Sequence, residues 1–279
     1  MQRVRAGRGW GWILDGWRFI KPRLGLAIGV VMLMYVLLFV ASMVPFLGNV
    51  ITPFLSPFLA GGVYIVFRRM REIDLRGQVE PLAREQPISF DLMFSVFRDP
   101  APRKALLNLA LVSIGFTLAV LLILATFVTV KLSGIDHSVL TDISATDEQR
   151  LRFLMPVLLD PNAWLIWSVG LLGLAVYSMA TFFAVPLIVL RGLRLWPALK
   201  QSFQAVTQNW VPFLVYGLIW LVLFISVPFT LMLSLIILLP LMFASVFIAF
   251  EDLWPEGSDP QTRAGLTANG ERTHISTVM

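Results

Sequence analysis

Six long runs of this sequence pass without a charged side chain: Leu24–Pro45, Phe46–Phe67, Leu106–Val130, Ala163–Leu190, Val211–Pro228 and Leu231–Phe250. A helix needs about 20 mostly apolar residues to cross the hydrocarbon core of a bilayer, since each residue advances it by about 1.5 Å. Of the 279 residues 57% are hydrophobic and 14% charged, whereas a soluble domain carries about a quarter charged residues. So little polar surface cannot cover a water-soluble globule. The runs therefore predict six membrane-spanning helices. The short connections near Pro45–Gly48 and Val227–Thr230 turn them into antiparallel hairpins.

Charge sets the expected orientation. With the N-terminus inside, the cytoplasmic segments hold 19 of the 22 Lys and Arg residues, and the opposite side only Lys131, Arg150 and Arg152. Cytoplasmic loops carry such an excess of Lys and Arg, so both termini are expected in the cytoplasm. The first run is longer than the apolar stretch of about 7–15 residues in a signal peptide and has no small-x-small site after it. It is expected to be a retained helix. There is no cysteine, which removes disulfides and thiolate sites.

Ahead of the first span stands RGWGWILDGWRFIKPR. Trp10, Ile13, Leu14, Trp17, Ile20 and Leu24 follow helical spacing, with Gly11, Asp15 and Arg18 opposite. The pattern predicts an amphipathic helix lying at the headgroups, with Pro22 marking the turn into the bilayer. The device recurs before the third span (Phe90, Met93, Phe94, Phe97 against Asp91, Ser95, Arg98) and before the fifth (Trp196, Leu199, Phe203, Val206 against Gln201, Gln204, Gln208). At a shift of 80, Trp17-Arg18 overlays Phe97-Arg98 and Pro22-Arg23 overlays Pro102-Arg103; at a shift of 183, Val44-Pro45-Phe46 overlays Val227-Pro228-Phe229, and Pro57 overlays Pro240. The expected fold is all-α, with six transmembrane helices forming three helix-hairpin repeats (about 10–68, 88–190 and 196–250), each preceded by a cytoplasmic amphipathic interfacial helix. Such copies are parallel repeats about an axis along the membrane normal. Residues 1–23 form the cytoplasmic N-terminus, 24–250 the membrane domain, and 251–279 a polar tail expected to be disordered.

The segments WPALKQSFQAVTQNWVPFLVYGLIWL and LPLMFASVFIAFEDLW resemble a group of proteobacterial inner-membrane proteins of unassigned function. They are more distantly similar to the membrane domain fused to some glycerophosphodiester phosphodiesterases. The resemblance implies a multi-helix protein of a Gram-negative inner membrane. It transfers no catalytic residue, because the phosphodiesterase chemistry of those relatives belongs to a separate soluble domain.

Buried ionisable groups are the usual mark of proton relays and intramembrane catalysis, and the six runs hold none. Ser113, Thr126, Ser178, Thr181, Ser226 and Ser234 are expected to bond within their helices. His137 beside Asp136 and Asp142 falls short of a multi-ligand metal set, and His274 lies in the polar tail. No enzyme activity, cofactor or metal is expected, and no nucleic-acid partner, since the basic residues adjoin apolar runs. Two sets of residues carry the functional expectations. Arg68, Arg69, Arg71, Arg18, Arg98 and Arg103 form a basic belt for anionic headgroups or a protein partner at the cytoplasmic face. Pro57, Pro186 and Pro240, each inside a second span, are expected to kink their helices, either to fit the packing or to line a cavity. Gly25-x3-Gly29, Gly115-x3-Ala119 and Ala180-x3-Ala184 are expected close-packing sites. Thr146-x-x-Gln149 predicts a capped helix on the outer side. The leading expectation is a non-catalytic accessory or membrane-organising protein, and the alternative a transporter or channel for a small weakly polar or lipid-like substrate.

Overall fold

The structure, a computed structural model, describes residues 1–45, 48–77, 87–132 and 161–255, with the isolated residues Thr146, Glu148 and Met155. The expected outer helix, His137 and His274 lie outside the described residues. Those described fold into helices without a strand: α1 Arg8–Ile20, α2 Leu24–Ser42, α3 Gly48–Arg76, α4 Ser95–Arg98, α5 Pro100–Leu132, α6 Pro161–Thr181, α7 Ala184–Arg191, α8 Leu195–Gln208, α9 Trp210–Ile225 and α10 Leu235–Leu253. A 3₁₀ turn over Lys21–Arg23, started by Pro22, joins α1 to α2, and another, Phe90–Phe94, precedes α4. Six stretches are long and apolar enough to cross a membrane, carried by α2, α3, α5, α6–α7, α9 and α10. The chain is a multi-pass membrane protein.

Large apolar side chains stay exposed along α5, α6 and α9, among them Leu122, Leu171, Leu172 and Val222. In lipid this costs nothing, because acyl chains are as apolar as leucine. The buried residues gather instead around α1, α3, α7 and α10, at the end of the bundle that carries the charged side chains.

The segment ahead of each hairpin packs on the second span of the hairpin before it, in a closed cycle. α1 lies on α10, the 3₁₀ turn and α4 lie on α3, and α8 lies on α6 and α7. Small residues permit two of these contacts. A Cβ on Gly16 would stand 2.9 Å from the Ser245 backbone nitrogen, and one on Gly62 only 2.1 Å from the Met93 carbonyl oxygen. In the third, the buried Ser202 hydroxyl accepts from the Phe183 N–H (2.9 Å) and donates to the Met179 carbonyl (2.8 Å). It thereby seals the break between α6 and α7, where Pro186 can supply no N–H to the ladder.

These contacts shift the expected helix faces. The packed side of α1 runs through Gly9, Trp12, Ile13, Gly16, Phe19 and Ile20, while Trp10 is half exposed. On α8, Ala198, Leu199, Ser202, Ala205 and Val206 are buried and Trp196 is 77% exposed. The expected small-residue sites are used unevenly. Gly25 and Gly115 face open space, Gly29 meets the ring of Phe90, and Ala184 is fully buried.

Gly62→Ala is expected to lower the unfolding temperature in detergent or nanodiscs, because backbone blocks the new methyl, whereas Gly115→Ala leaves it unchanged. Ser202→Ala, which strands a buried donor and acceptor, is expected to cost about 1–3 kcal/mol in the same unfolding measurement.

Candidate functional site

At the charged end, the C-terminal ends of the three second spans, α3, α7 and α10, come together. The last carbonyls of a helix have no partner within it. Arg68 on α3 donates to the Leu190 carbonyl at the end of α7 (2.7 Å), and Arg191 on α7 donates to the Trp254 and Pro255 carbonyls beyond α10 (2.8 and 3.2 Å). Glu251 on α10 closes the circuit by accepting from Arg71 Nε on α3 at 3.0 Å. Arg68, Arg191 and Glu251 thus tie each second span to the next.

A second set of ion pairs fixes α1 and the start of α2 to this ring. Arg8 bridges Asp252 (2.6 Å) and Asp15 (3.0 Å), and the Trp12 indole N–H also donates to Asp252 (2.9 Å). Arg23 pairs with Asp74 of α3. The Arg71 guanidinium lies 4.8 Å from the centre of the Phe19 ring. That ring packs with Phe67 and Phe247 at centroid distances of 5.8 and 5.4 Å, so one aromatic cluster joins α1, α3 and α10. The residues ahead of α1 are held too. The Asn209 side chain, at the buried junction of α8 and α9, accepts from the Val4 N–H at 2.9 Å, and the Gln2 N–H donates to the Leu253 carbonyl at 3.0 Å.

Two clefts open among these groups. One, of about 470 Å³, is lined by Arg8, Asp15, Arg18, Arg71, Asp74 and Glu251 among others. The second, of about 340 Å³, lies between the three helix ends and combines Arg68, Arg71 and Arg191 with an apolar floor that includes Phe247 and Phe250. Among the described residues, no group of three or more His, Asp or Glu stands together as a metal site.

The expected belt does not form one surface. Arg68 and Arg71 belong to the ring, Arg69 pairs along its own helix with Glu72 (3.1 Å), and Arg18 reaches Asp15 from an exposed position (3.1 Å). Arg98 pairs with Asp91 at 3.1 Å, away from the ring. Arg103 is exposed near the start of α5 and makes no hydrogen bond or ion pair among the described residues. Pro57, Pro186 and Pro240 are each buried, and none of them lines these two clefts. Of the expected intrahelical bonds, Ser113, Thr181 and Ser226 make theirs, and Ser113 also accepts from the Tyr177 hydroxyl of α6 (2.7 Å).

Sequence reasoning placed Asp15 only on the polar face of its helix, and passed over the acidic partners Asp74, Glu251 and Asp252 and the buried Ser202, Asn209 and Ser245. A signal for the ring was present, however. Ile65-Val66-Phe67-Arg68, Ile188-Val189-Leu190-Arg191 and Ile248-Ala249-Phe250-Glu251 end the three second spans in register. No protein-family model matches the chain, and neither a curated protein nor a solved structure shows significant similarity to it.

A double-mutant cycle on Arg71→Ala and Glu251→Ala is expected to give a coupling of up to about 1 kcal/mol in unfolding free energy, as befits a partly exposed pair. The swapped pair Arg71→Glu with Glu251→Arg is expected to recover part of the loss of either single reversal.

Proposed function

We propose that the chain is a non-catalytic integral protein of a bacterial inner membrane, with both termini in the cytoplasm. It acts as an accessory or membrane-organising protein that contacts anionic lipid headgroups and a protein partner through its charged end. The observation that carries this reading is the separation of surfaces. Among the described side chains, ion pairs and exposed basic groups occupy one end of the bundle, and lipid-compatible leucine and valine faces run along α5, α6 and α9. Exposed tryptophans stand at both borders: Trp10, Trp196 and Trp210 at the charged end, and Trp164 and Trp167 at the start of α6. Tryptophan favours both membrane interfaces. The excess of Lys and Arg on the same end favours the cytoplasm for it, and the resemblance to proteobacterial inner-membrane proteins agrees with this placement.

The three-unit organisation belongs to the same proposal. Each unit is an interfacial segment followed by two spans, and the cyclic packing of each segment on the preceding second span supports it. So does the recurrence of ring residues at the same place in each unit. The alternative of a passage around the kinked helices gains no specific support, since Pro57, Pro186 and Pro240 are buried in helix contacts.

The cysteine-free sequence makes the topology testable. A membrane-impermeant maleimide applied to spheroplasts is expected to label Ser138→Cys and to spare Arg3→Cys until the membrane is opened; the reverse pattern contradicts the orientation. For the partner, purification in native nanodiscs followed by mass spectrometry is expected to retain a stoichiometric protein and anionic lipid. Arg18→Ala with Arg98→Ala, both outside the ring, is expected to weaken that retention while leaving the unfolding temperature unchanged.

A further inference from the structure

A groove of about 450 Å³ runs between α3 and the beginning of α5. Its wall on α3 is apolar throughout, from Val50 and Ile51 through Phe54 and Leu55 to Phe58. Leu107 forms part of the opposite side, and Phe97, stacked on Phe58 at 5.1 Å, stands where the groove approaches the charged end. Arg103, in the first turn of α5, is the one charged residue of the lining among the described residues.

We propose that this groove holds an acyl chain of an anionic phospholipid whose phosphate rests on Arg103. The proposal rests on the membrane placement argued above and adds a specific lipid site to it. Three observations commit the groove to that occupant. First, every described lining side chain but one is hydrocarbon, so a peptide or sugar would leave its polar groups without partners there. Second, Val50 to Phe58 spans about 12 Å of helix at about 1.5 Å per residue, in the half of α3 that starts from the uncharged end, a depth that a long acyl chain descending from Arg103 reaches. Third, the charge at the mouth is unspent among the described residues. At the shift of 80 that overlays Pro22-Arg23 on Pro102-Arg103, the counterpart Arg23 is neutralised by Asp74. Arg103 has no such carboxylate among the described residues, and the neighbouring Lys104 adds a second exposed cation.

A second recess beside α5, of about 520 Å³, also has an arginine at its edge, Arg194. Its wall includes Asn108 and offers only a short apolar stretch, Leu111 and Val112, on α5. It suits an acyl chain less well.

The test is photolabelling of the full chain in nanodiscs, using phosphatidylglycerol or phosphatidylcholine that carries a diazirine on one acyl chain, with the labelled peptides mapped by mass spectrometry. The exposed Leu171 and Leu172 of α6 serve as the bulk-lipid reference. Phosphatidylglycerol is expected to enrich label on Val50–Phe58 relative to that reference, and Arg103→Ala to reduce its advantage over phosphatidylcholine about fivefold, the preference one basic side chain near an anionic surface supplies. Arg103→Lys keeps most of the advantage. Leu55→Trp, which fills the groove, removes the enrichment for both lipids; Arg103→Ala, at an exposed position, remains decisive if the tryptophan variant fails to fold. Equal labelling of α3 and α6, or an unchanged lipid ratio in Arg103→Ala, overturns the groove while leaving the membrane placement intact. Absence of label from α6 itself would instead overturn the membrane placement, and the groove with it.

Discussion

Lipid gives one apolar helix no hydrophobic reason to adhere to another, and the rest of this structure follows from that constraint. The leucine and valine faces of α5, α6 and α9 can remain exposed because burial would gain them little. What holds the helices together must be close packing, hydrogen bonds and ion pairs, and these concentrate at one end. Gly16 against Ser245 and Gly62 against Met93 bring backbones into contact. Ser202 repairs a break between two helices, while Arg68, Arg191 and the Arg71–Glu251 pair join three helix ends.

No single one of these is strong. Interhelical hydrogen bonds in membranes average about 0.6 kcal/mol, and partly exposed ion pairs contribute about 0.2–1 kcal/mol. Their effect comes from closure. Each interfacial segment rests on the second span of the preceding hairpin, and each second span is tied to the next. Breaking any one contact therefore leaves its neighbours held from the other side. The arginines of the ring are committed to this work, which leaves outlying residues such as Arg18, Arg98 and Arg103 as the better contacts for lipid or a partner.

The six spans and their hairpin turns were legible because hydrophobic length is a one-dimensional property that survives without knowledge of neighbours. The faces of the interfacial helices were only half legible. Trp10 and Trp12 have the same composition, and only the position of α10 and α9 decides that Trp12 goes inside and donates to Asp252. The close-packing sites were only partly legible for the same reason: Gly29 and Ala184 are packed, Gly25 and Gly115 are not. Spacing alone favours Gly25 and Gly115, yet the approach happens at Gly16 and Gly62, where another segment crosses. The basic belt was read from arginines alone. Arg18, Arg69 and Arg98 pair with nearby carboxylates on their own segments, but Arg71 finds Glu251 across the whole chain, and nothing local to either shows that the other will arrive.

The interlock of α1 with α10 is the joint that closes the cycle, and a methyl group placed inside it tests it most directly. A Cβ on Gly16 would lie 2.9 Å from the Ser245 backbone nitrogen and 3.0 Å from its Cα, whereas one on Gly25 meets nothing within 4 Å. Gly16→Ala is expected to lower the unfolding temperature in nanodiscs and Gly25→Ala not to lower it. An equal fall in both variants, or no fall in Gly16→Ala, would contradict the interlocked arrangement.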